Sequence, residues 1–374
     1  MKALYIHIPF CNNICTYCDF YKRIAKDEMK EKYITYLLKE LEMRKELLND
    51  IETVYIGGGT PSSLSATLLN KLFLGLKKQL NFSKIKEFTF EANPADVNES
   101  LVSLLKENKV NRVSLGVQSV NKKKLIFLGR NHKKKNVKVA MKLLKENGIT
   151  NINCDIIFGT PKDKIRLLKK DLKLLIKLGA THISAYSLQL EEKTILYRLY
   201  KQNKFVPVTE EYDSEMFKFI NGFLKEKGFT HYEVSNYAKG EEFKSLHNLV
   251  YWNNEHYLGI GTASSYYIDD FRYTNINNIE KYFEGLDKGE ILHLEESELV
   301  EGEKMFEEVM LGLRKIEGFS INNFKEKYQK DVFEVYPVIN GLITKGDLIL
   351  KGEYLKVPEE KIFILNNILL NFLN

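Results

Sequence analysis

The sequence predicts an α/β protein whose core is a parallel sheet with helices packed outside it. Three observations carry that expectation. Short apolar runs rich in β-branched and aromatic residues recur at 3–8, 53–57, 87–91, 112–117, 152–158 and 182–188, each with the length and composition of a buried strand. Stretches with helical spacing lie between them, so strand and helix alternate at least six times. Strands that return parallel to one another need crossovers, and right-handed crossovers put the helices outside an open doubly wound sheet or a full or partial barrel. In either geometry ligands bind at the carboxyl ends of the strands.

Strand one, ALYIHI (3–8), runs into the loop CNNICTYC (11–18). The first helix is marked by Ile34, Leu37, Leu38 and Leu41. Strand two ends in GGGTP (57–61), and a turn-and-cap signal from Thr60 to Ser63 precedes the second helix at Leu64. Strand three ends in EANP (91–94) and strand four in GVQS (116–119), while strand five carries Asp155 inside an otherwise apolar run. After about 190 the alternation gives way to a helix at 209–228 and a Tyr-, Asn- and Gly-rich stretch, 231–273, expected to extend the sheet or form a lid. From about 295 come three short helices, a hairpin at 346–357 and an apolar helix ending at Leu373, an order similar to a winged helix. The candidate third helix, 332–343, carries Glu334 and no basic residue, which favours packing or docking over DNA reading. The expected division is a main domain at 1–290 with an accessory segment at 191–290, then a C-terminal domain at 291–374.

Composition narrows the classes. With 374 residues, 44% of them hydrophobic, the chain supports a sizeable core without disulfide or metal staples. A net charge of +6 over this length does not imply nucleic acid as a partner. No window offers the eighteen or so apolar residues of a membrane span, and the opening MKALYIHIPF lacks a signal region, so the expected location is the cytoplasm, with association at a membrane surface left open. Four cysteines, three of them within eight residues, do not make a disulfide framework. The run 122–135 holds seven Lys/Arg and no acid, and its lysines read as a solvated surface.

Cys11, Cys15 and Cys18 fall at i, i+4 and i+7 just past a strand end, where three thiolates can converge from one loop. Three soft ligands suit a four-iron, four-sulfur cluster with one iron open to an external ligand. Zinc would want a fourth protein ligand, for which His7 and Cys154 are the candidates, Cys154 reading better as a small buried hydrophobe. The glycines of GGGTP let backbone approach a ligand closely, though a tight strand-to-helix turn would use them equally well. Glu91, Gln118 and Asp155 place polar groups inside an apolar sheet, a ring that structural need alone explains poorly.

The CX3CX2C loop after a first βα-type strand resembles the radical S-adenosylmethionine (SAM) superfamily. That resemblance implies a partial (β/α)6 barrel, SAM chelated to the open iron, and one-electron cleavage to a 5′-deoxyadenosyl radical. More narrowly, YIHIPFC with the strand-end motifs, HYEVSNYA (231–238) and the C-terminal pattern resemble the oxygen-independent coproporphyrinogen III oxidase family over nearly the whole chain. Within it Tyr5, Gly58, Gly59, Thr60, Glu91, Gln118, Arg130 and Asp155 fall on SAM-contacting positions, joined by Tyr17 in the cysteine loop and Gln189 after strand six. Arg130 is singled out by the motif LGR rather than by its basic neighbourhood.

Two departures separate the chain from the oxidase pattern. The oxidase continues as CX3CX2CXC, whereas Asp19 and Phe20 follow Cys18 here, and it carries an N-terminal extension. Both departures, with HNLVYW (247–252), resemble the heme chaperone branch of that family. The expected architecture is thus a partial (β/α)6 radical SAM barrel with a sheet extension and a C-terminal winged-helix-like domain. The expected function is a heme chaperone that carries a SAM-binding 4Fe–4S cluster, takes an electron from a donor, binds heme and hands it to a recipient hemoprotein. The alternative is radical decarboxylation of coproporphyrinogen III. His247 by itself reads as a hydrogen-bonded member of an aromatic layer; with the branch resemblance it becomes the leading heme ligand, His231 and His256 being secondary.

Overall fold

The computed structural model describes residues 1–373. Strands β1 (Ala3–Ile8), β2 (Thr53–Gly58), β3 (Glu87–Ala92), β4 (Arg112–Gln118), β5 (Asn151–Phe158) and β6 (His182–Ser187) lie side by side in sequence order, all parallel. Helices α1 (Asp27–Met43), α2 (Ala66–Gln79), α3 (Glu99–Glu107), α4 (Lys122–Phe127), α5 (Lys134–Glu146) and α6 (Ile165–Leu178) supply the crossovers. The six βα units are those the alternation predicts. The barrel is partial because β1 and β6 do not meet; each is paired with an added strand instead.

Alternation along each strand sorts the two faces. One face is apolar and wholly buried, through Leu4, Ile6 and Ile8, Val54 and Ile56, Phe88 and Phe90, and Val113 and Leu115. The other carries polar groups at every second position: Glu87, Thr89 and Glu91, then Arg112 and Ser114, then Asn153 and Asp155, then His182 and Ser184. Hydrogen bonds such as Ser114 Oγ to Asp155 at 3.1 Å and Asn153 to His182 at 2.7 Å run across this inner face.

The segment after β6 extends the sheet at both edges. Past α7 (Ile195–Lys201) and α8 (Glu210–Glu226), β7 (Thr230–Glu233) and β8 (Asn236–Ala238) add antiparallel strands beside β6. Helix α9 (Leu246–Trp252) then carries the chain across to the far edge. There β9 (Tyr257–Ile260) pairs parallel with β1, followed outward by β10 (Ser265–Ile268), β11 (Phe271–Asn275) and, after α10 (Ile279–Asp287), β12 (His293–Glu298). The result is a 12-stranded sheet in which the strand at 293–298 still takes part.

Beyond it lie α11 (Glu301–Gly312), β13 (Phe319–Ser320), α12 (Ile321–Tyr328), α13 (Val332–Val335), α14 (Val338–Thr344), β14 (Ile349–Lys351), β15 (Tyr354–Lys356) and α15 (Leu365–Leu369), with a small sheet ordered β13-β15-β14.

Three local expectations are corrected. The single helix expected at 332–343 is broken at Tyr336 (φ −126°, ψ 77°), because the Pro337 ring disfavours helical backbone in the residue before it. The second helix starts at Ala66 rather than Leu64: Pro61–Ser63 form a 3₁₀ turn, and Ser65 is the cap, its hydroxyl accepting from the Leu68 amide at 3.3 Å. Lys124 is not solvated but buried, ion-paired with Asp163. Among the described residues no helix is long and apolar enough to cross a membrane.

Candidate functional site

The carboxyl ends of the six strands open into a cavity of about 450 Å³. Cys11, Cys15 and Cys18 stand on one wall. The loop that carries them is tied down at both ends and in its middle. The Cys11 amide donates to Arg23 O at 3.0 Å, the Thr16 amide to Leu128 O at 3.2 Å, and the Leu196 amide to Thr16 O at 2.8 Å. Arg130 reaches over from the end of α4 and donates to Cys15 Sγ at 3.4 Å, while the Thr60 hydroxyl lies 3.4 Å from Cys11 Sγ. Donors aimed at sulfur favour thiolates and the cluster they hold.

The glycines of GGGTP are required by this packing. A Cβ on Gly59 would stand 2.9 Å from Phe10 O and 3.0 Å from Cys11 Sγ, and Gly58, at φ +113°, would drive a Cβ into the His7 ring at 2.6 Å. Either side chain would push the cysteine loop or β1 aside.

Two buried carboxylates, Glu91 and Asp155, line the same cavity. Glu91 accepts from the Tyr55 hydroxyl at 2.7 Å and the Gly58 amide at 3.2 Å. Burial pushes its carboxyl up to about 7 against those two hydrogen bonds. Asp155 accepts from Asn153 Nδ2 at 2.8 Å and Ser114 Oγ at 3.1 Å, and burial again raises its carboxyl. Gln118 enters the cavity from a left-handed position (φ 57°) where the β4–β5 register shifts, and Tyr17, Gln189 and Arg130 complete the lining.

Ten of the eleven SAM and heme candidates of the sequence can be placed simply. Tyr17, Gly58, Gly59, Thr60, Glu91, Gln118, Arg130, Asp155 and Gln189 all line the cavity. Tyr5 does not: its hydroxyl is turned to His7 Nδ1 at 3.0 Å, one layer beneath. Sequence reasoning missed Tyr55, Ser114 and Tyr186, which also line it. Their signal was the period-two recurrence of polar residues within runs that looked uniformly apolar.

The eleventh, His247, is not presented to any ligand. It is 1% exposed, its Nδ1 pairs with Thr53 Oγ1 at 2.9 Å, and its Nε2 pairs with the Tyr251 hydroxyl at 2.7 Å. Burial drops its pKa to about 3, keeping the ring neutral. Helix α9 is capped by the Glu87 carboxylate, which accepts from the Leu246 amide at 2.8 Å and the His247 amide at 3.3 Å. Thr53 and Glu87 are the first residues of β2 and β3, so HNLVYW seals the amino-terminal end of the barrel, opposite the cavity. The heme-ligand expectation for His247 is corrected because its ring is buried and both of its nitrogens are already bonded.

The zinc alternative also loses its ligands. Both His7 nitrogens are engaged, by Tyr5 and by Tyr21 O at 2.9 Å, and Cys154 lies on the apolar face 3.8 Å from Met141 Sδ. Three thiols from one loop, flanked by donors, match the three protein ligands of a 4Fe–4S cluster with one open iron.

A parallel partial barrel with a three-cysteine loop at its mouth defines the radical SAM class. The Radical SAM superfamily pattern matches residues 5–175, and that of the HemN C-terminal domain matches 299–364. The heme chaperone HemW of Lactococcus lactis is 34% identical over 100% of this chain and 97% of its own length. HemW of Bacillus subtilis is 36% identical over 92% of each chain. The solved coproporphyrinogen III oxidase HemN of Escherichia coli superposes with a TM-score of 0.86 over 99% of this chain and 90% of its own, at 19% identity, and so shares the fold. The chain belongs to the HemN family of radical SAM proteins, on the HemW side of it. Membership implies a 4Fe–4S cluster and SAM.

Proposed function

We propose that this chain is a cytoplasmic heme chaperone that holds a 4Fe–4S cluster on Cys11, Cys15 and Cys18, binds SAM along the strand ends, binds heme and passes it to a recipient hemoprotein. What carries the reading is the cavity itself, lined by three thiols and two partnered carboxylates, in a chain that aligns end to end with proteins named heme chaperones. The cluster, when bound, supplies one-electron chemistry at the sulfonium of SAM. The chain's own groups bind and orient: the Glu91 and Asp155 carboxylates accept hydrogen bonds, the Gly58–Thr60 backbone allows close approach, and Arg130 steadies Cys15.

For heme, the exposed imidazole is His256. Among the described residues neither of its ring nitrogens is hydrogen-bonded, and its ring meets Tyr267 edge-on at 4.9 Å. His231 instead stacks on Tyr237 at 4.3 Å and lies 3.5 Å from the Glu359 carboxylate. We therefore take His256 as the axial ligand. Phe20, 65% exposed at the cavity mouth, stands where the oxidase pattern has its fourth cysteine, which weighs against decarboxylation.

The deciding experiment uses anaerobically reconstituted protein. Loaded with heme and mixed with an apo-hemoprotein, it should convert the acceptor to its holo spectrum. Given SAM, reductant and coproporphyrinogen III, it should form no protoporphyrinogen; product formation would replace this reading with the oxidase.

A further inference from the structure

The cysteine loop runs out through CDFYKR (18–23), and the residues on either side of its one lysine are tied down. The Tyr21 carbonyl pairs with His7 Nε2 at 2.9 Å. The Arg23 amide donates to Pro9 O at 2.7 Å, and Arg23 O accepts from the Cys11 amide at 3.0 Å. Lys22 therefore leaves a backbone held on both sides by β1 and its continuation. Its half-buried side chain folds back over the loop, where Nζ donates to Cys18 O and, at 3.0 Å, to Phe20 O. It lines the cavity together with the three cysteines.

Both acceptors are neutral, and among the described residues Lys22 forms no ion pair, so its charge is not cancelled by a carboxylate. The other charged groups that line the cavity are Asp19, Glu91, Arg130, Asp155 and Glu191. Arg130 serves Cys15 Sγ and Gly116 O, burial raises the carboxyls of Glu91 and Asp155, and Asp19 and Glu191 are exposed. Burial pushes the Cys11 and Cys18 thiols up, and the Lys22 charge pulls both back. At Cys18 that pull exceeds the opposing push of Asp19.

We propose that Lys22 sets the reduction potential of the cluster held on Cys11, Cys15 and Cys18, its fixed ammonium charge raising that potential. Three thiolates leave such a cluster anionic, and reduction from the 2+ to the 1+ state adds one further negative charge from an external reductant; no bond in the chain forms or breaks. A cation fixed beside the loop stabilises the reduced form more than the oxidised one. Because the flanking residues hold Lys22 in place, the charge is there before the electron arrives and little has to reorganise. The inference rests on the cluster reading above.

The test uses the full chain, reconstituted anaerobically and titrated with dithionite while the reduced cluster is followed by electron paramagnetic resonance. Lys22→Met removes the charge, Lys22→Arg keeps it, and Lys288→Met makes the same charge change at an exposed site outside the cavity. At the wild-type midpoint, the ratio of reduced to oxidised cluster in Lys22→Met should fall at least about threefold, a midpoint lower by about 28 mV or more. Lys22→Arg and Lys288→Met should stay within about threefold of wild type. Iron, sulfide and SAM affinity, measured on the same samples, should match wild type. If Lys22→Met does not hold its cluster, Lys22→Gln, which keeps a donor without the charge, carries the comparison. A smaller change in the uncharged variant overturns the proposal, as does an equal fall in Lys22→Arg, which would make loop geometry the cause, or in Lys288→Met, which would make it net charge. Weakened SAM binding with an unmoved potential overturns it too, leaving Lys22 as a SAM contact. Wild type that takes up no four-iron cluster would instead overturn the cluster reading, and the proposal with it.

Discussion

The Tyr55 hydroxyl donates to Glu91 at 2.7 Å, while the face of the Tyr55 ring rests on His247 at 5.1 Å, so one tyrosine links the cavity wall to the helix that seals the barrel below. Glu91 is thereby held between protonation states, its pKa raised by burial and pulled back by its two donors.

That balance predicts a pH dependence. With its pKa near 7 in the folded chain, Glu91 keeps a proton that the unfolded chain has released above about pH 4.5. Unfolding therefore loses a proton between about pH 4.5 and 7, and the stability of SAM-free protein should fall as pH rises through that window. Buried Glu233, also pushed up to about 7, adds in the same direction. Glu91→Gln should remove its share, at most about 3 kcal/mol because the carboxylate faces the cavity. Urea denaturation of both proteins at about pH 5 and pH 8 measures it; an equal slope in wild type and variant would contradict the assignment.

The packing of Gly59 against the cysteine loop predicts that a single methyl group disrupts the cluster. Gly59→Ala places a carbon 3.0 Å from Cys11 Sγ and 2.9 Å from Phe10 O, and the backbone oxygen has no freedom to yield. Reconstituted wild type should hold about four irons per chain. Gly59→Ala and Cys15→Ala should hold far fewer, and Cys154→Ala should match wild type. Iron and sulfide analysis decides, and a full cluster in Cys15→Ala would remove the ligand set.

Asp155 predicts a loss of binding without a loss of metal. Its carboxylate orders Ser114 and Asn153 along the inner face and lines the same cavity as the cysteines. Asp155→Ala should weaken SAM binding by about tenfold or more, roughly the 1.4 kcal/mol of one lost charge-assisted hydrogen bond. Iron content should stay at the wild-type value. Normal SAM affinity in a folded, iron-replete variant would withdraw Asp155 from the site.

Most of the barrel was legible because parallel strands buried on their helix-facing side write themselves as β-branched and aromatic runs. The cysteine spacing and GGGTP were legible because cluster ligation and close backbone approach demand particular residues. The inner face was harder to see. Thr53, Tyr55, Glu87 and Ser114 alternate with large apolar residues, and in a short run the apolar partners dominate the pattern. The extension was ambiguous for a different reason. The stretch 231–273 feeds strands to both sheet edges, a long-range choice made by pairing partners rather than by local propensity. His247 was misjudged because an imidazole among aromatics is equally suited to a porphyrin and to a packed plug; only the positions of Thr53 and Tyr251 separate the two.

The last prediction follows from that separation. His247→Ala removes a ring wedged against Tyr55 and leaves Thr53 and Tyr251 without their partner in a buried site, so it should cost about 2–4 kcal/mol of stability. Because burial holds its pKa at about 3 while an unfolded imidazole titrates near 6.5, the neutral ring weakens the wild-type fold below about pH 6.5, so that cost should be smaller at about pH 5 than at about pH 8. Heme affinity should stay within about twofold of wild type as long as the chain is folded. His256→Ala should do the opposite, leaving stability within about 0.5 kcal/mol, as expected of an exposed side chain, while weakening heme binding by about tenfold or more. Heme titrations and urea melts on the two variants separate the roles. Loss of heme binding in folded His247→Ala, with His256→Ala unaffected, would mean that α9 unseats when heme arrives and that the ligand lies beneath it after all.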